Sequence, residues 1–150
     1  MAILGVLHVG LTVADADRSI AFYRDNFGFE LLTERVAEGG WVEQVTGFPG
    51  LQLRIVHLHR EGLNLELLEF RRPPGAARAR GFNDAGSAHV CFLTDDMDAD
   101  FERLLQNGAE RINPPQTVVG GPNDGGRVVY VKDPDGNAVE MHQLVRPWPV

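Results

Sequence analysis

The sequence lacks most of the features that mark secreted, disulfide-linked or nucleic-acid-binding proteins. Cys91 is the only cysteine among 150 residues, so no intramolecular disulfide can form, which favours a reducing compartment. The opening stretch, MAILGVLHVGL, has no basic region of a signal peptide, and no apolar run approaches the roughly 18–20 residues of a membrane span. The formal net charge of −7 disfavours a nucleic-acid partner. We therefore expect a soluble cytoplasmic protein with no membrane or nucleic-acid partner.

What the sequence does contain is an internal repeat. The stretch "HVGLTVADADRSIAFYRDNFGFE" begins at His8, and "HVCFLTDDMDADFERLLQNGAER" begins at His89. At this offset of 81 positions the further identical pairs are Val9 with Val90, Asp15 with Asp96, Asp17 with Asp98 and Asn26 with Asn107. The match in residue type is stronger than the identities, and it predicts two similar structural modules.

Each copy predicts the order β-α-β-β-β. An apolar, β-branched run predicts the first strand, and an Asp-rich start with Gly28 or Gly108 as the stop predicts the helix. The later strands are predicted in "GFELLTERV", "LQLRIVHLH" and "LNLELLEF", then in "GRVVYVKD" and "NAVEMHQLV", with a poorer candidate at "AERINPP". We expect an α+β protein with module 1 at about 4–70, a linker rich in Pro, Gly and Arg at 71–86, and module 2 at about 87–145.

Each predicted module begins with a histidine and ends with a strand that carries a glutamate. His8 and Glu66 occupy these places in the first module, and His89 and Glu140 in the second. A lone His or Glu in a strand is usually structural, but two imidazoles and two carboxylates at equivalent places form a ligand set for a first-row divalent metal. Separations of 58 and 51 positions exclude a local finger-type site. The fold would have to assemble the ligands.

With these residues in view, the chain resembles the vicinal oxygen chelate superfamily. This superfamily includes glyoxalase I, methylmalonyl-CoA epimerase, extradiol dioxygenases, and fosfomycin- and bleomycin-resistance proteins. The resemblance runs from about Leu4 to Leu144 and is carried by "HVGLTVADADRSIAFYRDNFGFELL", "LELLEF", "AHVCFLTDDMDA" and "VVYVKDPDGNAVEMHQ". It implies that the two βαβββ modules form a half-open β-barrel around a metal site, and that the chain forms a homodimer.

The resemblance also implies a site and an activity. The metal ligands would be His8, Glu66, His89 and Glu140, holding one divalent ion per site: Zn, Ni, Co, Mn or Fe. The implied enzyme is a lyase or isomerase of the glyoxalase I or epimerase type, which abstracts a proton next to a metal-bound carbonyl. Either Glu140 or Glu66 would be the catalytic base. The small-molecule substrate would be a 2-oxoaldehyde–thiol adduct or an acyl-CoA.

Two other function classes remain open from the sequence. One is an Fe(II)-dependent extradiol-type dioxygenase, and the other is a non-catalytic small-molecule binding protein like the bleomycin-resistance proteins. One departure bears on the substrate: "GLTV", with Thr12, stands where similar glyoxalase I proteins carry an arginine that contacts glutathione.

Further candidates are weaker. The residues predicted to contact substrate are Trp41, Gln44, His57, Asn64 and His142. We expect Trp41, Gln44 and the stretch TGFPG to form a substrate loop or an ordinary turn, and Cys91 to be a small buried residue. A cluster of basic residues forms either a solvated linker or an anion-binding site. It comprises Arg71, Arg72, Arg78 and Arg80.

Overall fold

The computed structural model describes residues 3–76 and 81–148, which fall into two compact units, Met1–Ala77 and Arg78–Val150. Each unit combines one mixed sheet with at least one helix, as the α+β prediction requires. Among the described residues, no helix has the length and hydropathy needed to cross a membrane. Residues 77–80 of the predicted linker, and with them Arg78 and Arg80, lie outside the described residues.

The first unit places its first and last strands side by side. Its elements are β1 (Val9–Val13), α1 (Ala16–Phe27), β2 (Glu30–Glu38), α2 (Gly40–Thr46), β3 (Gln52–Arg60) and β4 (Leu63–Arg72). The strand order is β1-β4-β3-β2, with β1 parallel to β4 and the other neighbours antiparallel. Gly10 on β1 pairs with Glu66 on β4, so the stretch that starts at His8 lies directly beside the glutamate.

The second unit repeats this arrangement. Its elements are β5 (His89–Leu93), α3 (Met97–Gln106), β6 (Glu110–Arg111), β7 (Gln116–Thr117), β8 (Arg127–Lys132) and β9 (Ala138–Gln143). The strand order is β5-β9-β8-β6, β7 also pairs with β8, and β5 runs parallel to β9. Cys91 pairs with Glu140, as Gly10 pairs with Glu66 in the first unit.

Two features depart from the predicted β-α-β-β-β order. The first unit contains an additional short helix, α2, and the second replaces one full strand by two of two residues each, β6 and β7. Seven residues are too few to display helical periodicity, which is why α2 escaped detection. Pro114 and Pro115 lie between β6 and β7, and proline cannot donate to a sheet ladder. The linker also begins later than predicted, because β4 extends through Arg72.

The acidic residues shared by the two copies begin the helices. The Asp15 side chain accepts a hydrogen bond from the Arg18 amide at 3.1 Å, and Asp96 accepts one from the Ala99 amide at the same distance. A side-chain acceptor at this position satisfies an amide that has no partner within the helix. Helix α1 ends at Gly28, whose φ of 67° lies in the left-handed region that favours glycine.

Strand alternation puts Leu65 and Leu67 on one face of the sheet and Glu66 on the other. Leu65 and Leu67 on β4 are fully buried, while Glu66 between them points to the opposite face of the sheet. Along that opposite face, Leu68 and Phe70 pack against a cluster of Ala37, Val42, Leu51, Leu53 and Ile55. Because Val42 belongs to α2, this helix packs on the same face of the sheet as Glu66.

The turn that joins β8 to β9 holds the strand of Glu140 in register. The buried Asp133 carboxylate accepts hydrogen bonds from the Asp135 and Asn137 amides at 2.9 and 2.8 Å, and from the Asn137 side chain at 2.9 Å. The predicted hairpin is thus present, with Tyr130 opposite Glu140.

Replacing Asp133 should destabilise the protein because three hydrogen bonds to a buried carboxylate are lost. We expect Asp133→Ala to lower the free energy of unfolding by about 2–4 kcal/mol, measured by urea denaturation. Asp133→Asn is the matched control, since its side-chain oxygen can still accept from both backbone amides, and it should lose less. Equal stability of the alanine variant and the parent would contradict the role given to this turn.

Candidate metal site

The first unit brings together His8, His57 and Glu66, which we call the first half-site. His8 immediately precedes β1, His57 lies on β3, and Glu66 lies opposite it on β4. Nε2 of His8 is 3.3 Å from Oε2 of Glu66, and Nε2 of His57 is 3.3 Å from Oε1. Each carboxylate oxygen therefore faces one imidazole.

The second unit brings together His89, Glu140 and His142, which we call the second half-site. Nε2 of His89 is 3.1 Å from Oε2 of Glu140, and Nε2 of His142 is 2.9 Å from Oε1. The hydroxyl of Tyr130, on β8, lies 3.4 Å from Nε2 of His89. The Glu140 side chain is 12% exposed. The carboxylate again lies between two imidazoles.

The surroundings of Glu140 keep its carboxyl group ionised. Burial raises the pKa of Glu140, but hydrogen bonds from His142 and Tyr130 oppose it and leave the pKa below its ordinary value. Burial and the neighbouring carboxylate raise the pKa of Tyr130 to about 12. Near neutral pH the tyrosine is therefore a hydrogen-bond donor and Glu140 is an acceptor.

Cys91 differs from its predicted burial. It is exposed, because β5 is an edge strand of its sheet and strand alternation puts Cys91 on the face of Glu140 rather than towards the core. Partial desolvation of the sulfur and the charge of Glu140 raise the pKa of the thiol to about 12. Near neutral pH the sulfur carries a proton and no charge.

In each unit a group of side chains around the glutamate could hold a divalent metal ion. The possible ligand atoms of His8, His57 and Glu66 all lie within 4.8 Å of one another, as do those of a second group, in which Cys91 rather than His89 joins Glu140 and His142. Imidazole nitrogen and carboxylate oxygen are the donors that Zn, Ni, Co, Mn and Fe(II) accept. Each half-site offers two or three such donors, fewer than the four of a closed site.

The residues predicted to contact substrate differ in where they lie and in which side chains they contact. Trp41 and Gln44 lie on α2 rather than in a loop, and the guanidinium of Arg35 stacks over the Trp41 ring at 4.9 Å. The Asn64 amide is engaged at both ends, with Oδ1 at 2.7 Å from Nδ1 of His59 and Nδ2 donating to the Leu7 carbonyl at 2.9 Å. Asn64 thus ties β4 to the residues just before His8. Substrate contact by these side chains stays a prediction.

Two residues of the second unit, one opposite Glu140 and one in contact with His142, were not identified from the sequence. Tyr130 could have been found by counting back from the recognised turn, because antiparallel pairing around "DPDGN" places it opposite Glu140. Asn123, whose Nδ2 lies 3.0 Å from Nδ1 of His142, comes from an irregular loop before β8 that carries no periodic signal. Of the basic cluster, Arg71 pairs with Glu69 at 3.0 Å and Arg72 donates to the Gly50 carbonyl at 2.7 Å.

Comparison with known proteins identifies the family to which this fold and these side chains belong. A "2-epi-5-epi-valiolone epimerase" of Actinomyces sp is 31% identical over 146 residues, covering 94% of this chain and 80% of the relative. The lactoylglutathione lyase of Haemophilus influenzae is 29% identical over 138 residues, covering 91% and 90%. The crystal structure of a glyoxalase family protein from Bacillus cereus superposes with a TM-score of 0.82 at 25% identity, covering 97% of this chain and 99% of the other.

A model of a whole protein family also matches the chain. The family model described as Glyoxalase/Bleomycin resistance protein/Dioxygenase superfamily matches residues 5–141, a range that includes both half-sites except His142. The family is the one that the repeated "HV" stretches and the "DPDGNAVEMHQ" hairpin predicted. This chain belongs to the glyoxalase/bleomycin resistance protein/dioxygenase superfamily.

Proposed function

We propose that His8, Glu66, His89 and Glu140 together hold one divalent metal ion and that the protein is a lyase or isomerase. The observation that carries this proposal is the repeated pair: each unit sets a histidine at its first strand against a glutamate on its last, at 3.3 and 3.1 Å. Two such pairs provide the four nitrogen and oxygen donors of a complete site. The pairs come from one chain or from two copies of a homodimer.

The chemistry follows from the donors. A bound ion would act as a Lewis acid on a substrate carbonyl, which makes the neighbouring C–H bond more acidic. Glu140 or Glu66 would accept the proton, since an ionised carboxylate can act as a general base. The Tyr130 hydroxyl, which remains protonated, would donate a hydrogen bond beside Glu140. Returning the proton to the neighbouring carbon, or to the other face of the same carbon, would distinguish the two reaction types.

The relatives favour this class over the other two. One is named an epimerase and another a lactoylglutathione lyase. We infer a substrate with a carbonyl or acyl-thioester group next to the carbon that loses its proton. Trp41, Gln44, His57, Asn64 and His142 are the proposed substrate contacts, and the Trp41 ring, which is 52% exposed, offers an apolar surface.

Two measurements test the proposed function. Protein purified without chelators should contain a divalent metal, or take one up on titration, at one ion per complete set of four ligands. Solvent deuterium exchange should then appear with one of a panel of methylglyoxal–thiol adducts, acyl-CoAs and 2-epi-5-epi-valiolone. The absence of both bound metal and metal uptake would contradict the proposal. Oxygen-dependent cleavage of a catechol by protein that contains iron would instead identify a dioxygenase.

A further inference from the structure

Each glutamate contacts a second imidazole that the sequence repeat does not explain. In the first half-site it is His57, on β3 opposite Glu66. In the second it is His142, two positions beyond Glu140 on the same strand, while Tyr130 occupies the place opposite the glutamate. Two different strands therefore supply the same contact, Nε2 to Oε1 of the carboxylate. Because His57 and His142 stand at non-equivalent positions of the two copies, the duplication does not explain why each glutamate has a second imidazole. We take the second imidazole to be something that the site requires.

Both ring nitrogens of His142 have hydrogen-bond partners. Nε2 faces a carboxylate oxygen at 2.9 Å, and an ionised carboxylate can only accept hydrogen bonds, so Nε2 must carry a hydrogen. In the neutral ring Nδ1 is then an acceptor, and the Asn123 side-chain amide, 3.0 Å away, is its donor. The amide, the imidazole and the carboxylate thus form one chain of hydrogen bonds with a single direction. Such a chain fixes both the tautomer and the tilt of the ring.

A glycine in the loop that contains Asn123 leaves room for the asparagine side chain. Asn123 is 3% exposed, and a Cβ at Gly126 would lie 2.0 Å from its Oδ1 and 2.6 Å from the Gln143 carbonyl oxygen. Within the described residues, Oδ1 of Asn123 is buried and has no hydrogen-bond partner. A buried carbonyl oxygen without a donor destabilises a fold, and an apolar residue of similar size would avoid this cost. The donor contact to His142 is what the asparagine provides.

We propose that Asn123 and His142 are positioning residues that hold Oε1 of Glu140, so that Oε2, which faces His89, would be the oxygen available to a metal ion. This inference rests on the proposed function, because it takes Glu140 to be a metal ligand. Holding one oxygen by hydrogen bonding leaves the other free to coordinate without reorienting the side chain. Partners of this kind typically contribute about 10–100-fold to metal affinity.

The test measures Co(II) affinity against a competing chelator, together with the visible spectrum of the cobalt protein. We expect His142→Leu to lower the affinity about 10–100-fold, and Asn123→Leu to act in the same direction. His142→Gln can place an amide donor near the lost Nε2, and it should stay within about threefold of the parent. Gln143→Leu is the matched control, because it removes the neighbouring polar side chain of β9, which donates to the Asp95 carbonyl instead. Its affinity and spectrum should match the parent's.

A second readout needs no metal. The ¹⁵N shifts of the His142 ring in metal-free protein should show a hydrogen on Nε2, and Asn123→Leu should weaken that preference. The opposite tautomer in the parent would overturn the proposal. So would a His142→Leu protein with unchanged affinity and spectrum, or a His142→Gln protein as weak as His89→Gln, since the latter would make His142 a direct ligand. A parent protein that takes up no cobalt would overturn the proposed function as well, whereas the other outcomes leave it standing.

Discussion

Glu140→Gln is expected to reduce solvent deuterium exchange into substrate by about 10²–10⁴-fold, measured at a metal concentration that saturates the variant so that weaker metal binding does not contribute. Glutamine has nearly the same size as glutamate and retains an oxygen that can accept the hydrogen bond from His142, but it cannot accept a proton at neutral pH. In the parent, hydrogen bonds from His142 and Tyr130 outweigh burial and keep the carboxylate ionised, which is the form that a base needs. Exchange is followed by ¹H NMR in D₂O, and metal content by elemental analysis.

Two companion variants make this result interpretable. Glu66→Gln tests the other candidate base, and a loss confined to Glu140→Gln would assign the proton transfer to the second half-site. Glu69→Gln is the matched control: Glu69 is on β4, like Glu66, but its carboxylate pairs with Arg54 and Arg71. It should exchange protons like the parent. Full exchange activity in Glu140→Gln would refute its role as the base.

The second large effect is expected at the histidines. We predict that His8→Gln and His89→Gln each weaken binding of the same single ion by about 100-fold or more, because each removes one of four direct ligands. Isothermal titration with Zn²⁺ or Co²⁺ gives both the affinity and the number of ions bound per chain. The two replacements lie in different units, so an equal loss would mean that both half-sites serve one ion.

The competing outcome has a clear signature. If each half-site held its own ion, the parent would bind two ions per chain and His8→Gln would still bind one with unchanged affinity. The three-donor groups around Glu66 and Glu140 make this a meaningful alternative to exclude. Such a stoichiometry would contradict the shared four-ligand site, although the contacts within each half-site would stand.

The features that the sequence predicted are those with a local signal or a repeated pattern. Asp15 and Asp96 could be read as helix starts because capping is a local interaction between an aspartate and an amide three residues on. The strand that carries Glu140 was recognisable because the "DPDGN" turn fixes its partner strand and register. The two copies agree on where a histidine and a glutamate stand, and this agreement identified them as candidate ligands. The parallel pairing of first and last strands, which brings each histidine to its glutamate, was not predicted.

The features that escaped prediction depend on contacts between distant segments. Cys91 looked like a core residue by composition, but its face is set by register with β9, a segment about fifty positions away. Asn123 reaches His142 from an irregular loop, so only the folded structure places it. Helix α2 contains seven residues and is fixed largely by Val42 packing into the cluster of Leu51, Leu53 and Ile55. None of these signals is local in sequence.

The parallel pairing of first and last strands has a consequence for how the protein matures. Each histidine meets its glutamate only when a unit closes a loop of more than fifty residues, which is the slowest kind of contact for a chain to make. During synthesis Glu140 is the last of the four proposed ligands to leave the ribosome. A chain that is still incomplete therefore offers a metal ion only some of the four proposed ligands. Tight metal binding would then indicate that both units have reached their native topology.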